Sequence, residues 1–182
     1  ASFAMGSCVD NDDVVVNYYA STKVTAAGFL DQNPERFSQF INILQRTPYY
    51  ALLSTYGEFT LFAPTNEAID KYVTEMGFGS IEGMTDANCD TLARTHIIKK
   101  GAFFTTDISE GSLPELNMDD GYIVLASDSD VYNNNALIYY INKNARMIEY
   151  NDSVTNGVVH VVNSVITNSS DLLPDKIAED PT

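Results

Sequence analysis

Hydrophobic positions along the chain change their period partway through. Over the first hundred or so residues they recur as helical stripes, and beyond them as strand-like runs. Asn33-Pro34-Glu35 opens the first stripe: Asn can cap a helix, Pro suits its first position, and Glu complements the positive dipole end. Phe37, Phe40, Ile41 and Leu44 follow at helical spacing as one buried face. Pro48 interrupts, and Tyr49 to Tyr56 predicts a second short helix presenting Tyr49, Leu52 and Leu53 to the core, closed by Gly57. Glu58 to Ala63 is a short β segment apolar enough for burial on both faces. Pro64 ends it, Thr65 or Asn66 caps the next helix, and Glu67 lies in that helix's first turn. Ile69, Tyr72, Val73 and Met76 repeat the helical stripe until Gly77 and Gly79 stop it. A further helix is expected to start at Asn88 or Asp90. It would turn Leu92, Ala93, His96 and Ile97 inward, carry Lys99 and Lys100 near its end, and stop at Gly101.

Beyond Gly101 the pattern is that of strands. Tyr122–Ala126, Leu137–Ile141, Met147–Tyr150 and Val158–Ile166 are four candidates, separated by Asn, Asp and Gly clusters of turn chemistry. Helices followed by a strand-rich half give an α+β class. The 182 residues suffice for one domain with a real core, and the composition, 45% hydrophobic and 19% charged, is that of a globular protein. Residues 9 to about 28 are small and polar and read as a tether, because Val14-Val15-Val16 alone is too short to argue a core strand.

Charge narrows the partners. A formal charge of -15 repels phosphate backbones and excludes nucleic acid, and it offers no basic patch for anionic lipid. No run approaches the ~20 apolar residues of a membrane-spanning helix. Ala1 to Ser7 is uncharged and mildly apolar and ends in small residues before Cys8, so residues 1–7 read as the tail of a secretory signal, or else as an expression scar. A Cys in that position resembles the bacterial lipoprotein pattern, in which it becomes the diacylated first residue of the mature chain. The acidic Asp10-Asn11-Asp12-Asp13 beside it resembles the surface-export signal of Bacteroides-type lipoproteins. Cys8 is therefore the expected lipid attachment site, and the outer membrane or cell surface the expected location. With Cys8 so used, Cys89 has no disulfide partner.

Two stretches carry a wider resemblance. Phe59-Thr60-Leu61-Phe62-Ala63-Pro64-Thr65-Asn66-Glu67-Ala68-Ile69 resembles the first signature of fasciclin-like domains, a strand running into a capped helix. Asn156-Gly157-Val158-Val159-His160-Val161-Val162-Asn163-Ser164-Val165-Ile166 resembles the second, closing signature, and the helix bearing His96 lies between them. The resemblance implies a wedge in which a twisted β core packs against a cluster of helices. It also implies a non-enzymatic adhesion or interaction module. The motif positions it singles out are Thr60, Phe62, Ala63, Pro64, Thr65, Asn66, His96, Asn156, Gly157 and His160, in structural or interaction roles. Two departures stand out: Thr95-His96 replaces the family's frequent Tyr-His, and Asn163 stands where Asp is common.

The resulting division is a lipid-anchor tether over 8–28, a fasciclin-like domain over 29–168, and a linker over 169–182. Asp175 to Thr182 echoes Gly28 to Glu35, so the stretch reads either as the lead into a second repeat or as an ordinary acidic linker. The expected partner is a surface protein or glycan, with no cofactor and no metal. Asp128-Ser129-Asp130 has the oxygen density for calcium, but it lacks the Gly and terminal Glu of a calcium loop and reads as a solvated turn. His96 and His160 read as hydrogen-bonded core residues rather than bases, and Cys89 lies too far along the helix from His96 for a nucleophile pair. The competing class is an envelope enzyme acting on glycans through paired carboxylates, which would need a cleft with two carboxylates at glycosidase spacing. In so acidic a chain Glu67/Asp70 and Asp119/Asp120 cannot by themselves be read as such a dyad, and Glu67 is explained as first-turn dipole compensation.

Overall fold

The strands β1 (Phe59–Pro64) and β7 (Gly157–Val162) run parallel, side by side, in the middle of a mixed sheet. They belong to a computed structural model that describes residues 23–168. All of β1 is buried, and β7 is buried from Val158 onward, as strands covered on both faces must be. β2 (Ile97–Ile98) flanks β1. On the other side of β7 come β6 (Ala145–Val154), β5 (Ala136–Ile141), β4 (Val124–Asp130) and β3 (Gly111–Ser112), giving the order β2-β1-β7-β6-β5-β4-β3. Among the described residues, every pairing of these strands except β1 with β7 is antiparallel.

Strand alternation then sorts the core into two clusters. Leu61, Ala63, Val159 and Val161 face the helices, where Leu30, Phe37, Phe40, Leu44 and Ile69 cover them. Phe62 and Val162 face the other way, against Ile98, Ile123, Leu125 and Ile141. The helices are α1 (Ala26–Asp31), α2 (Pro34–Gln45), α3 (Tyr49–Leu53), α4 (Asn66–Glu75) and α5 (Asp86–Thr95). Pro34 opens α2 with Glu35 in its first turn, and the Thr65 hydroxyl caps α4 by accepting from the Ala68 amide at 3.3 Å.

The α+β class and the packing of strands against helices are those expected, while several boundaries differ. Order is present upstream of Asn33: α1, capped by Thr25, lies partly in the stretch read as tether, and Ala26, Ala27 and Leu30 are buried. Two alanines make a faint hydrophobic stripe, yet their small size lets the helix pack closely. Asn33 does not cap α2 with its side chain; its amide donates to the Phe29 carbonyl at 2.9 Å and closes α1 instead. α5 starts earlier than Asn88, at a capping box in which Thr85 and Asn88 satisfy each other's backbone amides. It also ends earlier, so Ile97 and Ile98 form β2 and Lys99 and Lys100 lie beyond any helix. Met76 is 56% exposed, not inward. Asp128, Ser129 and Asp130 are not a turn: they pair with Ile138, Leu137 and Ala136 as the end of β4. The readings of residues 1–22, Cys8 included, and of residues 169–182 lie outside the described residues.

Gly157 is held at φ +147°, where a Cβ would lie 1.9 Å from the Phe59 carbonyl oxygen. Neither the backbone conformation nor the close approach of β1 tolerates a side chain. Gly157→Ala is expected to lower unfolding stability by about 3 kcal/mol, read from urea denaturation midpoints. An unchanged midpoint would mean that β7 enters the sheet with slack.

Candidate functional site

The polar residues of the two signature stretches converge on the backbone of neighbouring elements. Thr60, fully buried on β1, donates its hydroxyl to the Gly101 carbonyl at 2.8 Å and accepts from the Phe103 amide at 2.9 Å. It thereby pins the chain leaving β2. Asn66 accepts from the Gln39 amide at 3.0 Å and donates to the Glu35 carbonyl at 3.0 Å, locking α4 to α2. Asn156 is 2% exposed. Its Oδ1 accepts from the Ala26 amide at 2.8 Å, and its Nδ2 donates to the carbonyls of Leu53 and Thr55 at 2.8 and 2.7 Å. That one side chain ties the start of α1 and the end of α3 to the turn before β7.

Both histidines are buried and saturated. The Ile166 amide donates to His96 Nε2 at 3.0 Å, so Nδ1 carries the proton and donates to the Leu92 carbonyl at 2.7 Å. The Asn151 amide donates to His160 Nδ1 at 3.1 Å, which leaves Nε2–H to donate to the Phe103 carbonyl at 2.9 Å. Phe62 links the two, because its amide donates to the His96 carbonyl at 2.9 Å and its ring stacks on His160 with centroids 5.5 Å apart. Burial, against the smaller opposing effect of the carbonyl acceptors, pushes both imidazoles down to about 4 from 6.5. Neutral rings with both nitrogens engaged are architectural parts and have no free nitrogen to take a substrate proton. Cys89 is buried, and burial raises its thiol, the opposite of what a nucleophile requires.

The remaining motif positions are structural too. Ala63 is buried in the helix-side cluster, and Pro64 pairs with Val162 at the end of β1. Thr95, which stands where the family often has Tyr, is 5% exposed and donates to the Leu92 carbonyl at 2.8 Å. Asn163 accepts from the Arg146 amide at 2.9 Å. Among the acids, Glu67 sits in the first turn of α4, Asp70 accepts from the Gln39 amide group at 2.7 Å, and Asp119 is held by Arg94 at 3.1 Å and by Asn168 at 2.8 Å.

Sequence reasoning passed over a second set of anchors made of asparagines. Asn117 accepts from the amides of Asp119 and Gly121 and donates to the Thr95 carbonyl and to Asn168. Asn142, in the left-handed region at φ +48°, accepts from the Val124 amide and donates to the Thr167 carbonyl. Their signal was the turn-like spacing of Asn, Asp and Gly, which marks a bend and not the distant carbonyl it reaches.

A model of the fasciclin domain matches residues 35–168 of this chain. The chain belongs to the fasciclin domain family. Human periostin is 32% identical over 126 residues, a match covering 68% of this chain and 14% of periostin, so this fasciclin domain spans a small part of that relative. A solved structure of a fasciclin domain pair from the insect cell adhesion molecule fasciclin I is similar with a TM-score of 0.64 at 16% identity, covering 82% of this chain and 53% of that one. That likeness establishes the fold.

The buried histidines give this fasciclin domain a defined pH response. Above pH 6.5 both states hold them neutral, and the full stability is present. As pH falls from 6.5 towards 4, the unfolded chain gains protons that the folded one refuses. Stability is then lost by as much as about 3 kcal/mol per histidine. Denaturation midpoints between pH 7 and 4.5 should fall steeply for the parent and less steeply for His160→Gln. Parallel slopes would contradict the neutral, buried assignment.

Proposed function

We propose that this fasciclin domain is a non-enzymatic interaction module, exported and held at the outer surface of a bacterial cell by diacylation of Cys8. There it binds a protein or glycan of a neighbouring surface. The observation that carries the reading is the saturation of the signature's polar groups. Thr60, Asn66, His96, Asn156 and His160 are all committed to backbone partners, so recognition is left to the exposed exterior. Asp70 and Asp119, which a paired-carboxylate hydrolase would draw on, are engaged in internal contacts. The acidic surface, at a formal charge of -15, favours cationic or neutral partners. The insect cell adhesion molecule fasciclin I and its domain pair support both an adhesive role and further repeats in the same protein.

Two acyl chains supply the durable membrane attachment that one alone does not. Expressed with a full lipoprotein leader in a bacterial host, the protein should fractionate with membranes, and Cys8→Ser should move it to the soluble fraction. Unchanged fractionation would remove the anchor from the reading. Glycan hydrolysis that disappears on a single Asp or Glu substitution would overturn the non-enzymatic assignment.

A further inference from the structure

β5 and β6 are neighbours in the sheet, yet only Tyr140 with Arg146 and Ile141 with Ala145 pair between them. Past those pairs β6 continues to Val154 alongside β7, while Ala136–Tyr139 of β5 pairs with β4 alone. The two strands part, and this span of β5 keeps one edge without a ladder partner among the described residues. The Asn142 amide donates to the Val124 carbonyl at 2.9 Å. Hydrogen-bonded pairs alternate along an antiparallel ladder, so the backbone groups of Ile138 and Tyr140 turn towards β4, and those of Leu137 and Tyr139 turn into the parting.

The side chains around this gap are apolar and accessible. Leu137 is 53% exposed, Ile148 45% and Tyr150 42%, and the Tyr139 ring meets Tyr150 edge-on at 5.0 Å across the parting. Proteins normally blunt a free strand edge with Lys, Pro or a bulge. Ala-Leu-Ile-Tyr-Tyr-Ile, the whole of β5, carries no Lys or Pro, and its register with β4 is unbroken. The charge beside it selects the occupant. Arg36 neutralises Glu149 at 3.0 Å, and the remaining acids, Asp128 and Asp130 on β4 and Asp152 on β6, outweigh Lys143 and Arg146, within a chain of formal charge -15. A second copy of this chain would bring the same charge to the same edge and be repelled.

We propose that the parting of β5 and β6 receives an extended segment of a partner protein, added as a strand at the backbone of Leu137 and Tyr139. Apolar residues of that segment pack on Leu137, Tyr139 and Tyr150, and alternate lysines or arginines face the acids of β4 and β6. The inference rests on the interaction-module reading and gives it a partner class.

The probe is a synthetic seven-residue peptide of alternating lysine and valine, blocked at both ends, titrated into the full chain. Amide exchange should slow at Leu137 and Tyr139. A peptide with alternate backbone nitrogens methylated, or with glutamate for lysine, should bind at least tenfold more weakly. Leu137→Pro removes the outward amide while leaving the β4-facing bonds of Ile138 and Tyr140, and it should weaken the lysine–valine peptide at least tenfold with the thermal midpoint retained. If that variant does not fold, Tyr150→Ala should cost several-fold instead. Equal binding of the methylated peptide, or protection only at other amides, overturns strand addition. A dimer of this chain protecting Leu137 and Tyr139 overturns the peptide as occupant. Absence of peptide binding alongside intact binding to cells or glycans sinks this inference alone, whereas loss of all surface binding sinks the module reading.

Discussion

The parallel ladder between β1 and β7 is the constraint on which the rest of the structure depends. Phe59 to Pro64 lie in register with Gly157 to Val162, and both strands need cover on both faces because both are mainly apolar and their polar members, Thr60 and His160, are buried and paired with backbone. The helices supply one cover, and the curl of β2 through β6 with the loop at Phe103 supplies the other. Hence the protein has two cores separated by one pair of strands. Thr65 gains its position from the same ladder: its amide donates to the Val162 carbonyl at 3.2 Å, and its hydroxyl then starts α4.

Polar groups inside such a layered core must be paired or they destabilise it. This protein pairs them with backbone. His96 clamps the segment after β7 to the end of α5, His160 clamps the loop at Phe103 to β6, and Asn156 gathers α1 and α3. Each clamp joins elements distant in sequence through groups that have one good geometry. In this chain the signature residues therefore serve assembly, and both histidines are neutral structural pieces with chemistry suppressed by burial.

Much of this was legible in the residues. The strand-to-helix break at Pro64-Thr65, the stripe of Phe37, Phe40 and Leu44, the strand candidates and the core role of both histidines follow from local pattern, which is where burial and capping leave their mark. What was not legible is tertiary. α1 is built on alanines, and the amide of Ala26 at its start is anchored by Asn156, more than a hundred positions away. Ile97 continues a helical spacing but is pulled with Ile98 into the sheet by β1, and the acidic end of β4 is extended only because β5 pairs with it. Pairing partners carry no local signature, so the parallel pairing of β1 with β7 could not be read from periodicity.

Because the central ladder joins Phe59 to Gly157, its two halves are separated by most of the folded sequence. Closing so long a loop costs chain entropy before any contact repays it. During synthesis the segment around β1 must therefore wait, its apolar faces uncovered, until β7 has been made. A chain stopped short of Gly157 would present that bare strand to whatever chaperone it meets. Completion of the fold is thereby coupled to completion of the polypeptide through Val162.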